Sequence, residues 1–210
     1  MTVPETLLQR SWRRAWSEVG GSGSGDALRR RLADAWREPQ RRYHTLQHLA
    51  ECLAHLEPVR QLAEAPGEVE LALWFHDAVY DVRGHDNEAR SAAWAADELR
   101  AAGVAGAAAT RVRDLVMSTR HAALPETLDE ELLVDIDLAI LGAGAARFAE
   151  YERQIRAEYA FVPEATFRAR RRVVLAAFLD RARIYGTPRL HDELEPRARA
   201  NLAKAIAAHD

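Results

Sequence analysis

Three things are scarce in this chain of 210 residues. Cysteine is one. Cys52 stands alone, so no disulfide can form within the chain, and the composition fits a reducing compartment. Lysine is another: Lys204 is the only one, and arginine carries nearly all the positive charge. Long apolar runs are the third. The longest, VVLAAFL from Val173 to Leu179, is far too short to cross a bilayer. The opening MTVPETLLQRSWRRAW lacks the apolar centre of a secretory leader. These absences predict a cytoplasmic chain with no membrane partner. A net charge of −3 gives no global electrostatic case for a nucleic-acid polymer.

What is present is helical periodicity, without a run of alternating β-branched residues. It predicts helices over 4–18, 26–37, 44–64, 67–81, 87–102, 105–119, 127–141, 144–159, 163–184 and 190–208. GGSGSGD, ending at Asp26, reads as a flexible connector closed by an N-capping aspartate. Thr127 and Glu130 match a capping box, and Gly142 suits a C-terminal cap. The length suffices for one sizeable core, so the expectation is an all-α, single-domain helical bundle over 1–210.

Chemistry concentrates in three stretches. In LALWFHDAVYD, a segment apolar almost all the way round places His76 beside Asp77. Burying an imidazole and a carboxylate is costly unless they satisfy each other or grip a cation. Read as one helix, the stretch stacks Asp77 and Asp81 a turn apart, and two such carboxylates repel unless protonated or neutralised. In RRYHTLQHLAECLAHL, Leu46, Leu49, Leu53 and Leu56 form a core stripe that His48 flanks more closely than His44 or His55. In ELLVDIDLAILG, Leu132, Leu133, Ile136 and Ile140 mark the buried face. Asp137 lies at its margin, while Asp135 is expected to point to solvent.

His48, then His76–Asp77, then Asp137 resemble the ordered H…HD…D pattern of the HD-domain superfamily of metal-dependent phosphohydrolases. YHTLQHL, WFHDAVYD, DNEARSA, DIDLAILG and ARANL further resemble an uncharacterised bacterial subfamily of predicted HD-domain hydrolases, from about Tyr43 to Leu202. The resemblance implies a metal-site core over about 43–142, in which His48, His76, Asp77 and Asp137 hold one divalent cation. That mixed nitrogen and oxygen set suits Mn, Fe, Co, Ni, Zn or Mg rather than Ca. It also implies that a water activated by the ion attacks a phosphorus centre.

Hydrolases of guanosine tetraphosphate in this superfamily carry an acidic pair after HD. Asp81 matches its second position, whereas Tyr80 stands where glutamate is found, so the match to those hydrolases is only partial. Asp81 is the first candidate general base and Glu88 the second, with helix capping by Asp86–Glu88 as the alternative. His44 is a secondary candidate to hold a phosphate or a second metal, and His121 for a phosphate contact or a cationic helix cap. Arg41–Arg42, Arg168–Arg172 and Arg197/Arg199 are candidate anion contacts or solvated faces, Arg42 being the foremost.

The expected substrate is a small phosphorylated molecule, nucleotides included, and the apolar C-terminal helices are candidates for a homodimer interface. Three other readings compete. One is a metal-containing nucleotide-binding regulatory module with little turnover, and another is oxygen chemistry at a di-iron centre. The last is a helical scaffold with incidental histidines.

Overall fold

A computed structural model describes residues 5–208, in which the periodic stretches are helical and no strand occurs. The helices are α1 (Glu5–Glu18), α2 (Asp26–Ala35), α3 (Leu46–Leu56), α4 (Pro66–Phe75) and α5 (Asn87–Ala101). They continue with α6 (Gly106–Ser118), α7 (Leu128–Asp137), α8 (Ala145–Glu158), α9 (Glu164–Leu179) and α10 (Pro188–Ala208). Short 3-10 segments cover Arg60–Leu62 and Leu138–Gly142. The expected first residue of the first helix, Pro4, lies outside the described residues. None of the described helices is long and apolar enough to cross a membrane.

Three helices stop five or more residues short of their expected ends, each for a local reason. α3 ends at Leu56, two residues before Pro58, which has no N–H with which to continue the helical ladder. α4 ends at Phe75 instead of running to Asp81. Beyond it the Arg41 guanidinium takes the carbonyls of Asp77 and Ala78, and the Ser91 hydroxyl accepts the Val79 N–H. α9 ends at Leu179, where Arg199 takes the carbonyls of Leu179, Arg181 and Ala182. Side chains thus satisfy backbone groups that a longer helix would have paired internally.

The chain divides into two compact units, the first ending at Asp137 and the second beginning at Leu138. In the first, α4 is the central element. Every residue from Gly67 to Phe75 is buried, and α1, α3, α5, α6 and α7 pack around it. A helix apolar on every side belongs in that position. Its two acids are matched by basic partners: Glu70 is fully buried and pairs with Arg14 and Arg60, and Glu68 takes a bidentate contact from Arg111. Removing one member of such a pair strands a buried charge.

Trp12 stacks on Trp16 and meets Trp74 edge-on, while the Trp36 indole donates to the Trp74 carbonyl at 3.0 Å. The glycine-rich loop is fastened rather than loose. Trp12 and Trp16 donate to the carbonyls of Ser24 and Ser22, and a Cβ at Gly25 would come within 2.7 Å of the Trp16 ring. Gly25 itself is the N-cap of α2, with φ of 64°, which puts Asp26 inside the first turn.

The second unit is organised by α10. Within it, Arg197 donates to the Gly142 carbonyl at 2.9 Å, and Asn201 donates to the carbonyls of Leu141 and Ala143. The Tyr185 hydroxyl reaches the Leu138 carbonyl at 3.0 Å. Gly142 is required by close approach and not by a left-handed cap: a Cβ there would stand 2.7 Å from Leu194 Cβ. The capping box of α7 forms as expected, with reciprocal bonds between Thr127 and Glu130.

Candidate metal centre

Four polar side chains from three separate stretches of the first unit meet beside α4. His48 lies in the first turn of α3, whose N-cap Thr45 accepts the Gln47 N–H. Its ring is 2 % exposed, and the Tyr43 hydroxyl sits 3.0 Å from its Nδ1. His76 is the C-cap of α4, 1 % exposed, and its Nδ1 donates to the Leu73 carbonyl at 2.8 Å. Each ring is therefore held from behind, with Nε2 turned to the same point. The two Nε2 atoms are 3.1 Å apart.

Two carboxylates close the group. Asp77 Oδ2 lies 3.3 Å from His76 Nε2 and 3.9 Å from His48 Nε2. Asp137, the last residue of α7, places Oδ1 3.2 Å from His48 Nε2 and 3.5 Å from His76 Nε2. Ligand atoms about 2.0–2.2 Å from one ion stand roughly 3.0–3.5 Å from each other in tetrahedral or octahedral arrangements. The observed separations cluster around that range, so the donor set fits a divalent cation. The imidazoles form the floor. The carboxylates keep 16 % and 13 % of their side-chain surface exposed, which leaves an approach from solvent.

Cys52 belongs to the neighbourhood and escapes reasoning from residue type alone. One ligand atom each from His48, Cys52, His76 and Asp137 falls within a mutual 4.8 Å, a buried group able to hold a metal. The thiol sulfur lies 3.6 Å from Nδ1 of His48 and 3.8 Å from Nε2. It thus flanks the ring, nearer its rear nitrogen than the nitrogen facing the cluster, whereas Asp77 Oδ2 faces the Nε2 atoms of both rings. Spacing holds the signal: Cys52 follows His48 by four residues, one helical turn along.

Electrostatics agree with a cation site. Burial raises the carboxyl pKa of Asp137, but hydrogen bonds from His121, His48 and His76 outweigh it and hold the group well below its ordinary range. Asp77 is likewise raised by burial and then lowered further by His76 and His44. Burial pushes His48 down and keeps it neutral. For His76 burial acts in the same direction, yet the charges of Asp77 and Asp137 prevail and raise its pKa well above the usual value. The thiol of Cys52 is pushed well up, chiefly by burial. Two anionic carboxylates therefore hold positive charge on the neighbouring imidazole, in a position a metal ion can take over.

The remaining predicted residues fall around this centre or away from it. His44 stacks on Tyr80 with ring centroids 4.0 Å apart, its Nε2 3.9 Å from Asp77 Oδ2. His121 Nε2 is 3.1 Å from Asp137 Oδ2. Asp81 does not stack on Asp77, because the helix has ended. It is exposed in the loop before α5, where its carboxylate accepts the Arg83 N–H and Asn87 bonds its backbone. Glu88 is half-buried in the first turn of α5.

Asp135 is not solvated as its spacing suggested; it is 2 % exposed, because α7 is buried on almost every side from Leu132 to Ile136. Arg42 turns to the carbonyls of Pro39 and Arg41. Arg41, by contrast, is 3 % exposed and lies against the rings of Trp36 and Tyr80. Its guanidinium donates to the carbonyls of His44, Asp77 and Ala78 at 3.1, 2.6 and 3.0 Å.

No family model matches the chain, and neither a curated protein nor a solved structure matches it. Its residues themselves give an all-α fold with a buried His/Cys/His/Asp group that could hold a metal ion, compatible with an HD-type site.

Proposed function

We propose that this protein is a metal-dependent phosphohydrolase acting on a small phosphorylated molecule, with nucleotides among the substrates to be tried. The observation that carries the reading is the convergence of His48 Nε2, His76 Nε2, Asp77 Oδ2 and Asp137 Oδ1 at ligand-to-ligand spacing, with both rings fixed from behind. These four side chains are the proposed ligands of one divalent ion. Such an ion, when bound, polarises a phosphoryl oxygen and makes a water more acidic.

The chain supplies the rest. The partly exposed carboxylates mark the side from which a phosphate enters. Arg41 holds the backbone on both sides of the site and is not free to bind substrate. Asp81, or Glu88 in its place, is proposed to accept the proton of the attacking water at a carboxylate oxygen. The decisive experiment is elemental analysis of protein purified without chelator, followed by a panel of phosphomonoesters, dinucleotides and cyclic nucleotides with the metal found. Turnover by metal-free Asp77→Ala protein would defeat the proposal.

One observation favours a second reading, a regulatory module that binds metal and nucleotide but turns over little. Asp81 already spends a carboxylate oxygen on the Arg83 N–H, which suits a turn-forming residue. Tight metal-dependent nucleotide binding without hydrolysis would select that module.

A further inference from the structure

Among the described residues, His121 is the only non-glycine with a left-handed backbone, at φ of 53°. It follows the last turn of α6, where the N–H groups of Arg120 and His121 bond back to the carbonyls of Met117 and Ser118. Glycine is the usual occupant of such a place, because an L side chain there is strained. Strained backbone persists where the surrounding structure holds it and the side chain has work to do. Here the side chain reaches the cluster: His121 Nε2 is 3.1 Å from Asp137 Oδ2, and an ionised carboxylate can only accept, so the ring nitrogen donates. The bond engages the outer oxygen and leaves Oδ1 facing His48 and His76 at 3.2 and 3.5 Å.

We infer that His121 is a positioning residue that aims Asp137 at the ion, and that its left-handed backbone is the local cost of that aim. The inference rests on the proposed metal site. A hydrogen-bonding partner behind a metal ligand fixes its orientation, and losing it weakens metal binding by about ten- to a hundred-fold.

The test uses full-length metal-stripped protein, Co²⁺ alone titrated against a competing chelator, and thermal melts of the metal-free forms. His121→Ala loses the donor and keeps the strain; His121→Gly loses both; His121→Gln keeps a donor at a similar reach. The expected result is Co²⁺ affinity reduced about ten- to a hundred-fold in the Ala and Gly variants and held within a few-fold in the Gln variant. His121→Gly should melt about 2–4 °C above His121→Ala. The inference is overturned if the Ala and Gly variants bind Co²⁺ like the parent, if Gln binds no better than Ala, or if Gly melts no higher than Ala. A parent protein that binds neither Co²⁺ nor Zn²⁺ removes the metal site itself. A parent that binds, with variants that do not differ, removes only the role of His121.

Discussion

A carboxylate and an imidazole adjacent in the chain do different jobs at the end of α4. His76 is fixed by the carbonyl of Leu73, three residues back, so its orientation is built into the helix terminus. Asp77 has already left the helix, and its carboxylate is placed by the turn. Replacing Asp77 with alanine removes a proposed ligand and one of the charges that raise His76. The expected outcome is loss of bound metal and of hydrolysis together, read by elemental analysis and phosphate release on the same preparation. Asp81→Asn makes a contrasting prediction. If Asp81 handles the proton, kcat falls by about 10²–10⁴-fold with metal content unchanged, and Glu88→Gln leaves kcat near the parent value. The reverse pattern would move the role to Glu88.

At the scale of elements, side chains that cap a chain's exit from a helix recur, and they carry testable energetics. The carboxylate of Glu195 on α10 accepts the N–H groups of Ile184 and Tyr185 and pairs with Arg199. Burial raises its pKa, but Arg199 and the two N–H groups lower it further, so the net shift is downward. A carboxyl group depressed by folding adds stability above its unfolded pKa and loses it as the pH falls through the folded value. Glu195→Gln should therefore be less stable than the parent by about 1–3 kcal/mol at pH 7. In urea titrations the gap should narrow as the pH drops below the ordinary glutamate range. Gly142→Ala should cost about 1–3 kcal/mol by forcing a Cβ against Leu194, also measured by denaturant midpoint.

These elements also show what was readable in the amino-acid order. Helix existence followed from apolar periodicity, and the capping box at Thr127–Glu130 from two residue types at fixed spacing. The ends at Phe75 and Leu179 did not, because the groups that stop those helices, Arg41 and Arg199, lie far off in the chain. The same limit applied to the candidate centre. His48, His76, Asp77 and Asp137 stand out as polar residues at apolar margins. Cys52 beside His48 is legible only in its spacing, one helical turn along α3, whereas Tyr43 behind His48 and the burial of Asp135 depend on how α3 and α7 are surrounded.

For the whole molecule, folding and metal binding should be linked. A cluster in which two carboxylates and two imidazoles are brought together by the fold exists as a site only in the folded chain. Any ion that binds it must raise stability, by about 2.7 kcal/mol when the free ion is a hundred-fold above its Kd. Stripping with chelator is expected to lower Tm, and restoring Mn²⁺, Zn²⁺ or Co²⁺ to raise it in a concentration-dependent way. Asp77→Ala should show neither response.

The guanidinium of Arg41 gives this linkage a spatial form. One planar group fastens the carbonyl of His44, at the approach to the histidine helix, and those of Asp77 and Ala78, past the end of the central one. Neither stretch can drift while the other stays. In hydrogen–deuterium exchange the amides around 43–48 and 76–80 should open as a single cooperative patch. A lysine at position 41, a point charge without the fork, would split that patch in two and let each half exchange at its own rate.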